Sequence, residues 1–256
     1  MSLTLGFSPC PNDTFVFHAL VHGLVPGGPE VEVTYADIDV LNHLAQRREL
    51  DVVKVSYGAL APLLDDYELL DAGSALGRGC GPLVLTLPGR GDLDGATVAV
   101  PGLETTAYLL MRLWPGSSGI KDITVMPFEQ IMPAVVDGSV DAGLVIHESR
   151  FTYPSFGLAA LADLGEWWEG ETGMPIPLGA IIARRGLDTK ALSAAVRTSV
   201  EMAWANPAAS RDYVLAHSQE LTPDVVDAHI ALYVNEFTRS LGAEGRAAID
   251  ALLARA

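Results

Sequence analysis

One histidine of the sequence stands at the point where an apolar segment ends. Residues 143–154 read GLVIHESRFTYP, so a run typical of a buried strand stops at His147 and is followed by Glu148. An imidazole with an ordinary pKa of about 6.5 is suited to general-base chemistry near neutral pH. A hydrogen-bonded histidine at a junction between domains is the alternative interpretation. Because neighbouring residues of a strand point to opposite faces, Glu148 is predicted to point away from the groups that His147 faces.

Two further segments carry polar groups at positions suited to binding an anion. Lys54, Val55 and Ser56 end the strand pattern DVVKVS, where a lysine either reaches into a cleft or is solvated at the strand end. Thr105 and Thr106 follow a Pro-Gly turn at a predicted helix start. Backbone N–H groups and hydroxyls at such a start favour a carboxylate or a phosphate. Plain N-capping by a threonine hydroxyl is the alternative there.

The sequence predicts no metal centre. His18 and His22 have the four-residue spacing of two zinc ligands on a helix, but HALVH lacks the glutamate of HExxH and no nearby cluster completes the ligand set. Cys10 lies near a predicted helix N-terminus, a position that can activate a thiol. No partner base is evident in the sequence, so a small buried thiol is the simpler interpretation. The run GRGCG, which holds Cys80, matches no phosphate-binding loop.

The composition argues against several classes of partner. The 256 residues include 32 acidic and 16 basic side chains, a formal net charge of −16, without a cluster of Lys and Arg, so no nucleic-acid partner is expected. No apolar run approaches the roughly 20 residues of a membrane span, so no membrane partner is expected. Two cysteines and the lack of a recognisable signal peptide are typical of a cytoplasmic protein. No obligate protein partner is predicted.

Strand and helix patterns alternate along the chain, which predicts an α/β fold. The first helix is predicted from about Phe15 to His22, with N-cap candidates at residues 12–14. The return strand IPLGAIIARR predicts that the first lobe is discontinuous, formed by residues 1–90 together with 176–256. Residues 91–175 are then an inserted second lobe.

A weak internal repeat predicts where a ligand binds. In each half a strand, a Pro-containing loop and a threonine open a helix, and an aspartate follows at the start of another strand. Aligning Asp51 with Asp141 places Tyr57 opposite His147. Ligands of open parallel sheets bind beyond the carboxyl ends of the strands. Residues 54–56 and His147 are therefore expected to face one shared cleft.

Six segments of the chain carry a family resemblance. They are GFSPCPNDTF (6–15), KVSY (54–57), ALGRGCGPLV (75–84), VPGLETTAY (100–108), GLVIHESRFTYP (143–154) and LGAIIARR (178–185). Together they resemble the 1,4-dihydroxy-6-naphthoate synthase family of the futalosine route to menaquinone, and the HESRFTYP block is specific. The resemblance spans almost the whole chain. It implies an architecture like that of the type II periplasmic binding proteins, with two α/β lobes, a central cleft and two hinge strands.

The resemblance also implies a function. Members of that family are lyases that convert cyclic dehypoxanthinylfutalosine to 1,4-dihydroxy-6-naphthoate and a three-carbon fragment, dihydroxyacetone, with neither a metal nor an organic cofactor. By resemblance, His147 is the proton acceptor. The residues implied to bind the carboxylated small-molecule substrate are Lys54, Val55, Ser56, Thr105 and Thr106, with Val55 acting only through its backbone.

Two other functions stay open at this stage. A solute-binding or sensor protein for a small anion shares this fold and needs no base, but such a protein usually carries an export signal. The chorismate dehydratase of the same pathway also shares the fold. The HESRFTYP block favours the later, naphthoate-forming step.

Overall fold

Two β-sheets form the framework of the protein. The computed structural model describes residues 2–218 and 222–256, so Met1 and residues 219–221 of the expected first lobe lie outside it. The strands of the two sheets are β1 (Leu3–Phe7), β2 (Val31–Tyr35), β3 (Val52–Ser56), β4 (Tyr67–Leu69), β5 (Ala75–Gly77), β6 (Leu83–Thr86), β7 (Thr97–Val100), β8 (Asp122–Val125), β9 (Ala142–Val145), β10 (Ala159–Asp163) and β11 (Ile176–Arg184).

Helices connect these strands. They are α1 (Pro11–Val21), α2 (Ile38–Gln46), α3 (Leu60–Leu63), α4 (Thr106–Leu113), α5 (Phe128–Val136), α6 (Ser149–Thr152), α7 (Leu164–Thr172), α8 (Thr189–Ala205), α9 (Arg211–His217), α10 (Pro223–Tyr233), α11 (Glu236–Arg239) and α12 (Gly242–Leu253). Helix α1 begins earlier than predicted, because Cys10 is its extended N-cap and Pro11 takes the first helical position. Proline suits that position because its φ is already helical and because an N–H there would have no acceptor within the helix.

The first sheet has the order β2-β1-β3-β11-β4, and β5 also pairs with β11. Strands β1, β2 and β3 are parallel, whereas β11 runs antiparallel to β3, β4 and β5. The second sheet has the order β10-β6-β9-β7-β8. Here β7 is parallel to β8 and β9, and β6 is antiparallel to β9 and β10.

The internal repeat is visible in both sheets. Strand β1 lies between β2 and β3, and β7 lies between β8 and β9 in the same way. The Asp51 carboxylate accepts a hydrogen bond of 3.0 Å from the backbone N–H of Thr4. Asp141 accepts the equivalent bond, of 2.9 Å, from Thr97. The two aspartates on which the repeat was aligned therefore form equivalent hydrogen bonds, to β1 in one half and to β7 in the other.

The chain passes between the sheets twice. It leaves the first sheet after β5 and returns to it with β11, which lies between β3 and β4 as the predicted return strand. Strand β6 belongs to the second sheet, although the expected boundary at residue 90 counts it with the first lobe, because its register pairs it with β9 along its whole length. As a division into domains, the boundaries at 90/91 and 175/176 stay predictions.

Among the described residues, no helix has both the length and the apolar composition required to cross a membrane.

Candidate active site

Residues from both halves of the fold line one cleft. Strands β3 and β11 contribute side chains from one side, while the start of α4 and the turn after β9 contribute from the other. Of the six residues that the resemblance implies, five line this cleft: Lys54, Ser56, Thr105, Thr106 and His147. Val55 does not line it, because alternation along β3 buries its side chain in the hydrophobic core.

Lys54 is a buried cation with a buried partner. Its side chain is 7% exposed, and its ammonium forms an ion pair with the carboxylate of Asp13, which is 2% exposed. Glycine makes room for the lysine on the neighbouring strand, because a Cβ at Gly179 would lie 2.9 Å from Lys54 Cε. The interpretation of Lys54 as a solvated strand end is therefore wrong. Its charge is already neutralised within the protein.

The early start of α1 places Asp13 within reach of the lysine. Asp13 lies in the first turn, where Ser8 Oγ donates to one carboxylate oxygen at 2.7 Å and Asn12 Nδ2 donates to the other at 2.8 Å. Every oxygen of this carboxylate thus has a donor, as a buried charge requires. Asp13 was not among the predicted site residues, although a lysine inside an apolar strand pattern is itself a sign that a buried carboxylate lies nearby.

Removal of one member of this pair is predicted to destabilise the fold. Asp13→Ala leaves the Lys54 ammonium buried and unpaired, which we expect to lower the free energy of unfolding by about 3–5 kcal/mol. Asp227→Ala removes the carboxylate of an exposed pair with Arg211 and is the matched control, with an expected change below about 1 kcal/mol. Urea unfolding of both variants measures the difference. Equal effects of the two substitutions would contradict the importance assigned to the buried pair.

A buried histidine of α10 forms a hydrogen bond with Asn12. His229 of α10 is 1% exposed, and its Nε2 lies 2.9 Å from Asn12 Oδ1. Because Asn12 Nδ2 donates to Asp13, the amide oxygen faces His229, so Nε2 carries the ring hydrogen. Burial lowers the pKa of His229 well below its usual value, with smaller contributions from His147 and Lys54. His229 is thus a neutral cleft residue, and no sequence pattern around it indicated this position.

His147 lies in a turn that directly follows β9. Its φ is 55°, in the left-handed region that a residue other than glycine rarely adopts. Its Nδ1 lies 3.5 Å from Cys10 Sγ, and its ring meets the ring of Phe128 edge-on with centroids 5.4 Å apart. Strained backbone of this kind concentrates at functional sites. The turn, rather than a continuing strand, directs the imidazole into the cleft.

The charge state of His147 follows from its surroundings. Burial lowers the pKa of His147 to about 4, which the nearby Asp13 carboxylate opposes and the Lys54 ammonium reinforces. The imidazole is therefore neutral at pH 7 and able to accept a proton. Burial also raises the pKa of Cys10 well above its usual value, and Glu148 and Asp13 add to this rise. The neighbouring thiol is thus protonated at pH 7.

The expected direction of Glu148 is wrong. Its carboxylate lies on the same side as the imidazole of His147. A carboxylate oxygen of Glu148, a ring nitrogen of His147 and Cys10 Sγ all lie within 4.8 Å of one another. Face alternation ends with β9 at Val145, and the left-handed turn at His147 brings the next side chain around. The side chains of Cys10, His147 and Glu148 therefore lie close together in the folded protein.

The two threonines at the start of α4 use their hydroxyls inside the protein. Thr105 is the N-cap, and its Oγ accepts from the Tyr108 N–H at 3.1 Å and donates to the Gly102 carbonyl oxygen at 2.8 Å. Thr106 Oγ donates to the Leu178 carbonyl oxygen of β11 at 2.7 Å and accepts from the Gly58 N–H at 3.0 Å. The N-capping interpretation is therefore confirmed for Thr105, while Thr106 fastens the second half of the fold to the first.

Two backbone N–H groups at this helix start point to the place where the sequence predicts an anion. In the part of the chain that the structure describes, the N–H groups of Thr106 and Ala107 have no hydrogen-bond acceptor. The first N–H groups of a helix, together with its dipole, favour a carboxylate. Both residues line the cleft. The turn at residues 57–59 approaches closely, since a Cβ at Gly58 would lie 2.9 Å from the Thr105 carbonyl oxygen.

Apolar groups form most of the remaining surface of the cleft. They come from both halves of the fold and include Ile38, Ala75, Pro82, Ile146, Leu178 and Tyr233. Ser56, at the end of β3, is held by Asn42, whose Oδ1 accepts from the Ser56 N–H at 2.9 Å. The cleft thus combines an apolar slot with a neutral imidazole and the first N–H groups of α4 on its walls. This combination suits a flat carboxylated molecule.

Comparison with known proteins places the chain in a family. Residues 3–256 match the model of a family described as menaquinone biosynthesis. The chain belongs to this menaquinone biosynthesis family. A Streptomyces coelicolor protein named 1,4-dihydroxy-6-naphtoate synthase is 61% identical over 261 residues, covering 100% of this chain and 93% of that protein. A Thermus thermophilus protein of the same name is 49% identical over 258 residues, covering 100% and 94%. The resemblance drawn from the sequence motifs is confirmed.

Solved structures confirm the fold of this menaquinone biosynthesis protein. Protein AF1704 from Archaeoglobus fulgidus is 35% identical and superposes with a TM-score of 0.93, over 99% of this chain and 96% of that chain. The Candida albicans CA3427 gene product, described as having the generic periplasmic binding protein fold, has a TM-score of 0.71 at 12% identity, over 99% and 90% of the two chains. The alkanesulfonate-binding protein SsuA from Xanthomonas axonopodis has a TM-score of 0.68 at 16% identity, over 91% and 84%. These two distant neighbours show the fold alone, which is the predicted two-lobe type II architecture.

Proposed function

We propose that this protein is a 1,4-dihydroxy-6-naphthoate synthase of menaquinone biosynthesis. Its substrate would be cyclic dehypoxanthinylfutalosine, and its products would be 1,4-dihydroxy-6-naphthoate and dihydroxyacetone, so the reaction is a carbon–carbon lyase reaction. The observation that carries the proposal is a neutral imidazole in an apolar cleft, in a chain 61% identical over its whole length to a protein named as this synthase.

The anion site supports a specific orientation of the substrate. In this proposal the carboxylate of the substrate binds the free N–H groups of Thr106 and Ala107 at the start of α4. The aromatic part lies in the apolar slot, and the sugar-derived ring faces His147. Lys54 shapes the slot without offering a free charge, because Asp13 already neutralises it. Closure of the two lobes would then exclude water from the charged intermediate.

The chemical step in this proposal uses His147 as the general base. The tautomer that this step requires has its ring hydrogen on Nδ1, which lies 3.5 Å from Cys10 Sγ, so that Nε2 is the nitrogen left for the substrate. Nε2 accepts a proton from the substrate, and the carbon–carbon bond to the three-carbon fragment breaks. Formation of the aromatic naphthalene diol draws the reaction forward, and the proton held by the imidazole is available to return to the departing fragment.

The experiment that tests this proposal is conversion of the substrate by the purified protein. Incubation with cyclic dehypoxanthinylfutalosine is expected to yield dihydroxynaphthoate, measured by liquid chromatography with mass detection. His147→Gln is expected to lower turnover by about 10²–10⁴-fold, the contribution of a positioned general base, while substrate affinity changes little. His22→Gln, at the exposed C-cap of α1, is the control and keeps wild-type turnover.

Two results would contradict this function. Tight binding of the substrate without product would favour a solute-binding or sensor protein of the same fold. Dehydration of chorismate by the purified protein, with no turnover of the cyclic substrate, would assign it to the other reaction of the pathway.

The low pKa of His147 predicts an unusual pH profile. Only the neutral imidazole accepts a proton, so protonation abolishes activity, and activity is lost as the pH falls through the folded-state pKa of about 4. We expect kcat/KM to stay level on the acid side from pH 7 to about 5 and then to fall tenfold per pH unit below about 4. Initial rates across this range measure it. A fall that begins near pH 6.5 would show an ordinary imidazole and contradict the assigned environment.

Stability over the same range is the control for the pH profile. His147 and His229 have folded-state pKa values below the ordinary unfolded value of about 6.5, so the unfolded state binds protons more readily below that pH. Their neutral burial costs no stability above about pH 6.5, and stability is lost progressively as the pH falls further. Circular dichroism at each pH therefore verifies that the rates refer to folded protein.

A further inference from the structure

Cys10, His147 and Glu148 form a cluster of three different ligand types at one end of the cleft. Cys10 is the N-cap of α1, and the other two residues form the turn after β9. One ligand atom from each side chain lies within 4.8 Å of the other two. Cys10 and His147 are 137 residues apart in the chain, so no local spacing in the sequence could reveal the cluster.

The separation between sulfur and nitrogen matches that of two ligands on one tetrahedral ion. With a zinc–sulfur bond of about 2.3 Å and a zinc–nitrogen bond of about 2.0–2.1 Å, the tetrahedral angle places the two ligand atoms about 3.5 Å apart. The distance between Cys10 Sγ and His147 Nδ1 is 3.5 Å. The two atoms therefore have the separation that a shared tetrahedral ion requires. A carboxylate oxygen of Glu148 lies within 4.8 Å of both atoms and is the candidate third ligand.

The charge around the cluster also favours a cation. A carboxylate oxygen of Glu148 lies within 4.8 Å of the ligand atoms of Cys10 and His147, so negative charge is present where the ion would bind. The Lys54 ammonium is already paired with Asp13. Thiolate, imidazole and carboxylate together are ligands of a borderline divalent transition metal such as Zn²⁺ or Co²⁺ rather than of Mg²⁺ or Ca²⁺.

We propose that Cys10, His147 and Glu148 bind a divalent transition-metal ion of the zinc type, and that this ion inhibits the enzyme by occupying the general base. Binding releases the Cys10 thiol proton to solvent and places the ion on His147 Nδ1. The ring hydrogen then resides on Nε2, which has no lone pair left for a substrate proton. Three protein ligands leave a fourth position for water or a cleft oxygen ligand. The inhibitory role rests on the proposed function, whereas the ion site does not.

Cobalt binding to the purified full-length protein tests the site without any activity measurement. Co²⁺ is the probe, because a thiolate ligand gives it a charge-transfer absorption in the near ultraviolet. We expect one Co²⁺ per chain with this absorption, displaced by Zn²⁺. Cys10→Ala is expected to abolish the absorption. Cys10→Ala and His147→Gln are each expected to lower the affinity for Co²⁺ by at least about 10–100-fold, the range already found when a residue that only hydrogen-bonds to a metal ligand is lost.

Matched variants separate this site from the other candidate ligands. Cys80→Ala removes the other cysteine, which lines the cleft, and His22→Gln breaks the ring contact between His18 and His22 at the end of α1; both are expected to keep the absorption. Glu148→Gln is expected to weaken binding but keep the thiolate band, whereas Glu166→Gln, at an exposed position on α7, changes neither. If Cys10→Ala fails to fold, the difference in Co²⁺ affinity between Glu148→Gln and Glu166→Gln still tests the site. Absence of binding in the wild type, or a band unaffected by Cys10→Ala, would overturn the proposal.

The inhibitory role has its own readout. Zn²⁺ is expected to lower wild-type turnover in a way that a chelator reverses, and Cys80→Ala is expected to require the same zinc concentration. Cys10→Ala, whatever its own rate, is expected to require at least about tenfold more zinc for half-inhibition. A zinc-stimulated rate would overturn the inhibitory role. If the protein turns over no substrate, the proposed function fails while the cobalt spectrum still tests the site.

Discussion

The buried ion pair between Asp13 and Lys54 is the constraint on which the site depends. A lysine enclosed within β3 requires a counter-charge, and Asp13 in the first turn of α1 supplies it. Because α1 must present Asp13 to β3, the neighbouring residues Cys10 and Asn12 are fixed as well. Cys10 then contacts His147, and Asn12 contacts His229. One electrostatic requirement thus orders the polar groups of the cleft.

The same pair also bears on the proposed binding of a carboxylated ligand by this acidic protein. The chain has a formal net charge of −16, and the lysine in the cleft is neutralised by Asp13. In the proposed function a ligand carboxylate therefore binds at the start of α4, where the described part of the chain provides no acceptor for the N–H groups of Thr106 and Ala107. Thr106 also bonds to Leu178 of β11, so the proposed anion site lies on the joint between the two halves.

Much of the framework could be predicted from the sequence, because it depends on local patterns. The alignment of Asp51 with Asp141 predicted two equivalent strand arrangements, since each aspartate follows its helix at a similar distance and begins a strand. The resemblance implied that Val55 acts only through its backbone, and face alternation along β3 explains why its side chain is buried in the core. The family motifs marked the segments that form the cleft.

The features that the sequence did not reveal all depend on tertiary contacts. Glu148 points toward Cys10 because His147 adopts a left-handed conformation, which no pattern of residue types indicates. His229 lies in a helix far along the chain and is a cleft residue only because α10 packs against α1. Face alternation and helix periodicity describe one element at a time, so they cannot report which side chains meet between elements.

A crystal structure of the protein with bound 1,4-dihydroxy-6-naphthoate tests the central claim most directly. The account predicts the carboxylate of the ligand within hydrogen-bond distance of the Thr106 and Ala107 N–H groups, the rings in the apolar slot, and His147 Nε2 facing the edge of the diol ring. A carboxylate bound to Lys54 with the Asp13 ion pair broken, or a ligand bound away from His147, would contradict it.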